Sequence, residues 1–260
     1  MNPSVSDRFR ELIEILQKLR APDGCPWDRE QTFDSLRPYL LEETYEILEI
    51  IDEKRYAKLR EELGDLLLHI VFQAQIAAEM NLFDIADVLD TINQKLIRRH
   101  PHVFGDVHVE SARQVEKNWE NIKLGEKNQS VLGGVPQHLP ALLRAYRVQE
   151  KASGVGFDWK SDQDVLTKIR EEIRELSRAK SSGRRDRVED EFGDLLFSLV
   201  NLARFWGVTP EDALQKTVRK FIRRFNYIET GLKKKGKSAN QATLEEMDAL
   251  WEEAKTFVDE

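Results

Sequence analysis

Glu42-Glu43-Thr44-Tyr45-Glu46, followed by Glu62-Leu63-Gly64-Asp65, recurs as Glu171-Glu172-Ile173-Arg174-Glu175, followed by Glu191-Phe192-Gly193-Asp194. Each acid of the second copy lies 129 residues beyond its counterpart (43 to 172, 65 to 194). Apolar residues around both copies recur at helical rather than strand spacing. A helix turns about 100° per residue, so Glu62 and Asp65 stand one turn apart and about 60° apart around the axis. Leu66, Phe72 and Ile76 project on the same side, which places these acids in a face expected to pack inward. Glu43 and Glu46 border a stripe of Leu40, Thr44, Ile47, Leu48 and Ile51.

Two such helices side by side bring four carboxylates together. Buried acids need a partner, and clustered ones repel unless protonated or bound to a cation. Oxygen-only donors favour Mg2+, with Mn2+ as a substitute, over zinc. The metal-ligand candidates are Glu43, Glu46, Glu62 and Asp65 in the first copy, and Glu172, Glu175, Glu191 and Asp194 in the second. A single E-x-x-E is usually a solvated helix face with local ion pairs. Duplication of all four positions beside apolar neighbours favours the metal site.

The repeat continues past the acids. Lys95-Leu96-Ile97-Arg98-Arg99 matches Lys220-Phe221-Ile222-Arg223-Arg224, and Trp119-x-x-x-Lys123 matches Trp251-x-x-x-Lys255. Lys95 with Arg99, and Lys220 with Arg224, each project two cations from one helix face and suit phosphate oxygens. Trp119 and Trp251 offer stacking surfaces, although a tryptophan at helical spacing is more often core. His69 shares the face of Glu62 and Asp65, but its counterpart is Ser198, so a core role is expected for it.

Helices are predicted near 34–53, 56–80, 84–99, 110–124, 138–151, 162–180, 185–206, 210–230 and 243–257. They follow a first helix striped by Phe9, Leu12, Ile13, Leu16 and Leu19, which Pro22, Gly24 and Pro26 end. Cys25-Pro26-Trp27-Asp28 reads as a compact turn. Thr209-Pro210-Glu211 reads as an N-cap with proline at the first helical position. Gly64 and Gly193 fall inside helices, for close helix crossing or for space beside the acids. GEKNQSVLGGVP (125–136) clusters loop formers. It divides the chain into a repeat at 1–125, a linker at 126–136 and a repeat at 137–260.

The 260 residues carry 40 basic and 47 acidic side chains, a net charge of -7, which argues against general binding of nucleic acid polymers. The one cysteine, Cys25, rules out an intramolecular disulfide. With a charged N-terminus and no apolar run of membrane length, no membrane association and a cytoplasmic location are expected.

E-E-x-x-E, E-x-x-D, K-x-x-x-R and a late W-x-x-x-K together resemble the MazG family of nucleoside triphosphate pyrophosphohydrolases. So do the segments GCPWDREQTFDSLRPYLLEETYE (24–46), LLRAYRVQEKASGVGFDW (142–159), EFGDLLFSLVNLAR (191–204) and LEEMDALWEEAK (244–255). The resemblance covers nearly the whole chain and matches the full-length, two-repeat form. It implies an all-α fold of two tandem helical bundle repeats, with magnesium between the acid-bearing helices and an intertwined homodimer. It implies hydrolysis of nucleoside triphosphates to monophosphate and pyrophosphate, in a house-cleaning or pool-control role. It assigns Lys168, Glu171, Lys220, Arg224 and Trp251 to nucleotide contact, with Lys95, Arg99 and Trp119 in the companion roles of the first repeat. Lys255 joins the substrate-contact candidates. The expected catalytic groups are Glu172, Glu175, Lys220 and Arg224, with Glu43 and Glu46 in the first repeat. Tyr39 stands where the second repeat has Lys168, so the C-terminal repeat is expected to be the main catalytic unit. Water would be activated by a glutamate, Glu172 or Glu175 by preference, or by the cation.

Two other readings compete. A carboxylate-bridged di-iron bundle needs Glu-x-x-His pairs, which neither repeat has in register. A non-enzymatic module that binds a regulatory protein partner through paired helices predicts no nucleotide turnover.

Overall fold

The computed structural model of the chain describes residues 4–111, 114–115, 118–119, 122 and 130–257. These contain eleven α-helices, one short 3-10 turn and no strand. The chain divides into two compact units, Met1–Ala112 and Arg113–Glu260. The helix expected over 110–124, Lys123 and the beginning of the 126–136 linker lie largely outside the described residues.

The first unit holds α1 (Val5–Arg20), α2 (Pro26–Glu30), α3 (Arg37–Asp52), α4 (Tyr56–Glu79), α5 (Ile85–Arg99) and α6 (Pro101–Phe104). A capping box opens α1: the Ser4 hydroxyl accepts from the Asp7 N–H, and the Asp7 carboxylate accepts from the Ser4 N–H. The helix ends at a turn that only glycine fits, because a Cβ on Gly24 would lie 2.3 Å from the Leu19 carbonyl oxygen. Phe9, Leu12 and Ile13 pack with Leu16 onto Leu36, Val71, Phe72 and Ile76, which form the core of this unit. The Arg20 guanidinium grips Glu79 with bonds of 2.8 and 2.7 Å, tying the end of α1 to the end of α4.

Several boundaries differ from expectation. The compact turn after Cys25 is the short helix α2, with Pro26 in its first turn. The second long helix starts at Arg37 rather than near 34. Thr32 and Ser35 hydrogen-bond each other's backbone N–H groups at 2.9 and 3.1 Å, a local alternative to helix. Pro101 starts the additional short helix α6.

The second unit holds α7 (Ala141–Gly154), α8 (Asp162–Ser181), α9 (Arg185–Phe205), α10 (Pro210–Lys234) and α11 (Leu244–Phe257). Here α7 begins after Pro140 rather than at 138, and α10 runs one turn past its expected end at 230. Thr209 occupies the N-cap of α10, but its side chain makes no capping bond. One core cluster joins Val165, Ile169 and Leu202 between α8 and α9. Another joins Ile228, Leu232 and Leu250 between α10 and α11.

The acid-bearing helices form one hairpin per unit, α3 with α4 and α8 with α9. Each hairpin turns through a residue of left-handed backbone, Lys54 (φ 56) in the first and Gly183 (φ 69) in the second. The apolar stripe on α3 is divided: Leu40 and Ile47 are half-buried on the side of the buried Ile50, while Leu48 and Ile51 are exposed. The helix is apolar on more than one side, and α4 covers only one. Leu63, Leu67 and Ile70 on α4 are exposed as well, and so are their counterparts Phe192, Leu196 and Leu199 on α9. Among the described residues no helix is long and apolar enough to cross a membrane.

Candidate active site

Each hairpin lays three glutamates against one another. One carboxylate oxygen from each of Glu43, Glu46 and Glu62 lies within 4.8 Å of the other two, and Glu172, Glu175 and Glu191 do the same. Asp65 and Asp194 stand outside this spacing, yet their charges reach it. Loss of hydration, then Asp65, Glu46 and Glu42, push the Glu43 carboxyl above its ordinary range. Loss of hydration, then Glu175, Asp194 and Glu172, do the same to Glu191. Glu62 is raised by loss of hydration, by its hydrogen bond with Glu46 and by the surrounding acids. The donor set is oxygen only and the charges repel, so a hard divalent cation fits both clusters.

The clusters differ in one companion. Lys168 reaches Glu171 at 2.7 Å and the buried Glu172 at 2.8 Å. Those bonds, Glu171 first, hold its amine well above the ordinary lysine range. In the first unit Tyr39 is exposed and edges against the Trp27 ring, 6.1 Å between centroids.

The C-terminal cluster opens onto a cleft of about 640 Å³, inside the usual size range for small-molecule sites. Lys168 and Glu172 of α8 and Asp194 of α9 belong to its wall. Further along α9 it is lined by Ser198, Asn201 and Arg204; α7 contributes Gln149, and the following loop Asp158 and Trp159. Sequence reasoning missed these last residues. The available signal was Asp194, Ser198 and Asn201 at i, i+4 and i+7, a polar stripe inside the apolar segment LLFSLVNLAR.

The other companions stand elsewhere. Lys220 and Arg224 are half-buried on α10, and Lys95 and Arg99 are half-buried on α5. Trp251 packs on the α10–α11 core, with the Phe221 ring at 5.3 Å and the Arg224 guanidinium 5.2 Å from its ring centroid. It thus braces an arginine. Lys255 is exposed and paired with Glu252, and Trp119 is half-buried. None of Lys220, Arg224, Trp251 and Lys255 lines the cleft. His69 is buried on α4, as a core role requires, and its Nδ1 has no partner among the described residues.

Close crossing does not account for Gly64 or Gly193, because a Cβ on either would meet nothing within 4 Å. It does account for Gly231, where a Cβ would come within 2.8 Å of Leu250 at the α10–α11 crossing.

One helical hairpin per unit, each bearing an oxygen-only acid cluster, defines an all-α protein with two candidate sites for a hard divalent cation. The chain belongs to the MazG family: the profile of the MazG nucleotide pyrophosphohydrolase domain matches it twice, over residues 31–104 and 160–228. It is 52% identical over 250 residues to the nucleoside triphosphate pyrophosphohydrolase/pyrophosphatase MazG of Thermotoga maritima, covering 95% of each chain. It is 45% identical over 256 residues to the nucleoside triphosphate pyrophosphohydrolase of Escherichia coli K12, covering 96% of this chain and 97% of that one. It is 47% identical over 251 residues to the uncharacterized protein YabN of Bacillus subtilis, covering 95% of this chain and 51% of that one.

Proposed function

We propose that this chain hydrolyses nucleoside and deoxynucleoside triphosphates to the monophosphate and pyrophosphate, with Mg2+, chiefly at the C-terminal cluster. The observation that carries this reading is the Glu172–Glu175–Glu191 cluster with Lys168 bonded to it, opening onto a cleft of nucleotide size. Mg2+ held by these glutamates, with Asp194 as the fourth ligand, would neutralise the triphosphate and the departing pyrophosphate. Lys168 already spans Glu171 and Glu172, and it shifts to a phosphate oxygen as substrate enters. Lys220 and Arg224, which do not line the cleft, would add positive charge for the leaving pyrophosphate from outside it, with Arg224 lying against the Trp251 ring. Glu172 or Glu175 takes a proton from water as its oxygen bonds to the α-phosphorus and the bond to the bridging oxygen breaks. Charge stabilisation of this kind supplies most of the rate in such reactions.

The reading includes a homodimer. Both units expose the same apolar stripe, Leu63-Leu67-Ile70 and Phe192-Leu196-Leu199, and both expose the pair that follows the lysine, Leu96-Ile97 and Phe221-Ile222. A second copy of the chain would cover them. It also includes a cytoplasmic, pool-cleaning role, with the free thiol of Cys25 in keeping.

The test is incubation of the purified chain with a panel of NTPs and dNTPs plus Mg2+, separating pyrophosphate from orthophosphate. Monophosphate and pyrophosphate in equal amounts are expected. Stepwise orthophosphate release, or no turnover with any nucleotide, overturns the assignment.

A further inference from the structure

We infer that the cleft of the C-terminal unit is the nucleoside pocket, and that the Asn201 amide nitrogen is the donor that reads the edge of the base. This inference rests on the triphosphate reading above. Lys168, Glu172 and Asp194 belong both to the acid site and to the wall of the cleft, so a triphosphate gripped there sends its nucleoside into that space. Asn201 is two turns beyond Asp194 on the same face of α9, about 10 Å along the axis. That rise is comparable with the reach from a nucleotide's phosphates across the sugar to its base.

The orientation of Asn201 is set by its neighbours. Its Oδ1 accepts from Arg204 Nε at 3.3 Å and Nη2 at 2.8 Å. Arg204 is held in turn by Asp158, through Nη1 to Oδ2 at 3.1 Å and Nη2 to Oδ1. The amide oxygen is thus committed, and the two N–H bonds of Nδ2 are the part left for a ligand. Arg204 has its charge answered by Asp158 and its side chain largely buried, so it serves as a brace and not as a phosphate clamp. On the same wall Gln149 donates from Nε2 to the Phe197 carbonyl at 2.8 Å, and its buried Oε1 has no partner among the described residues. Asn201 thus offers a fixed donor to the acceptors that a base edge carries, and Gln149, buried behind the wall, holds α7 to α9. Trp159 adds an aromatic surface to the cleft.

The N-terminal unit lacks this equipment. At the positions of Ser198, Asn201 and Arg204 it has His69, Phe72 and Gln75, and Phe72 is buried in its core.

Asn201→Asp tests the proposal, because it keeps an oxygen for Arg204 and removes the donor. The readouts are KM and kcat across the nucleotide panel, and the inhibition constant of inorganic tripolyphosphate, which has no nucleoside. KM for the preferred nucleotide is expected to rise about tenfold, with discrimination among bases reduced and tripolyphosphate inhibition unchanged. An unchanged KM and base profile would mean that Asn201 only anchors Arg204, and the proposal fails. A parallel loss of tripolyphosphate inhibition would mean damage to the acid site, and also overturns it. Trp159→Ala is the second probe: KM should rise for all nucleotides without change for tripolyphosphate, and no effect counts against the pocket. Absence of turnover by the unaltered chain would sink the parent reading; an insensitive Asn201→Asp in an active enzyme sinks the pocket alone.

Discussion

The two units carry the same three-glutamate cluster on the same hairpin and differ in what stands beside it. In the C-terminal unit a lysine bonds the buried Glu172, and an open cleft lined by Asn201 follows along α9. In the N-terminal unit the lysine is Tyr39, and the stretch of α4 that matches the cleft wall turns a histidine and a phenylalanine into the core. The braces differ as well. Arg20 joins α1 to Glu79 on α4, whereas Arg204 on α9 reaches back to Asp158, so the cation has changed sides. The two clusters are therefore alike in their acids and unlike in their surroundings. On the proposed reading a cluster serves a nucleotide where a counter-charge and a hollow of the right size adjoin it, as both do at the second copy.

The largest expected effect sets the two clusters against each other. Glu172→Gln should lower pyrophosphate release by roughly 10²–10³-fold, the scale for removing one preorganised charge-stabilising group. Glu43→Gln should leave turnover close to that of the unaltered chain. Equal losses would make the units equivalent, and near-normal release from the double variant would remove the acids from the chemistry.

Next in size is a comparison of glycines by denaturant unfolding. Gly231→Ala drives a methyl into the buried Leu250 side chain, a clash of about 1–3 kcal/mol against a propensity gain of about 1 kcal/mol, so a net loss of up to about 2 kcal/mol is expected. Gly64→Ala and Gly193→Ala meet open space within the chain and should stabilise by up to about 1 kcal/mol through helix propensity. A loss of stability at Gly64 or Gly193, with a shift toward monomer in sedimentation, would show that a second copy fills that space.

The smallest effect is one of pH. The carboxyls of Glu43, Glu62 and Glu191 are raised in the folded chain. Across the interval from the ordinary glutamate range up to those raised values, the folded state binds more protons than the unfolded one. Their contribution to stability is therefore present at low pH and lost as pH rises through that interval. Thermal melting in chelator should show this decline, and saturating Mg2+ should suppress it. Melting with the same pH profile in both conditions would argue against a cation at the clusters.

Much of this was legible from residues alone. Spacing of acids within one helix is set by local geometry, so the positions one turn apart, the duplication and the helix-rich fold could be read directly. Pro22, Gly24 and Pro210 marked real boundaries because their backbone restrictions are local. Thr32–Ser35 was missed because two side chains offered the backbone an alternative that periodicity does not register. Asn201 and Arg204 were missed because their meaning depends on Asp158, 46 residues from Arg204.

By itself the sequence determined the tandem repeat, the family and the residue types of the site, since all three reside in local spacing and composition. Tertiary structure decided that three of each four acids close to within 4.8 Å, that Lys168 answers Glu172, and that a cleft opens beside the cluster that has the lysine. The physical reason is that a helix specifies the angles of its own side chains, whereas its neighbours specify which of those angles meet a charge, a core or an open space.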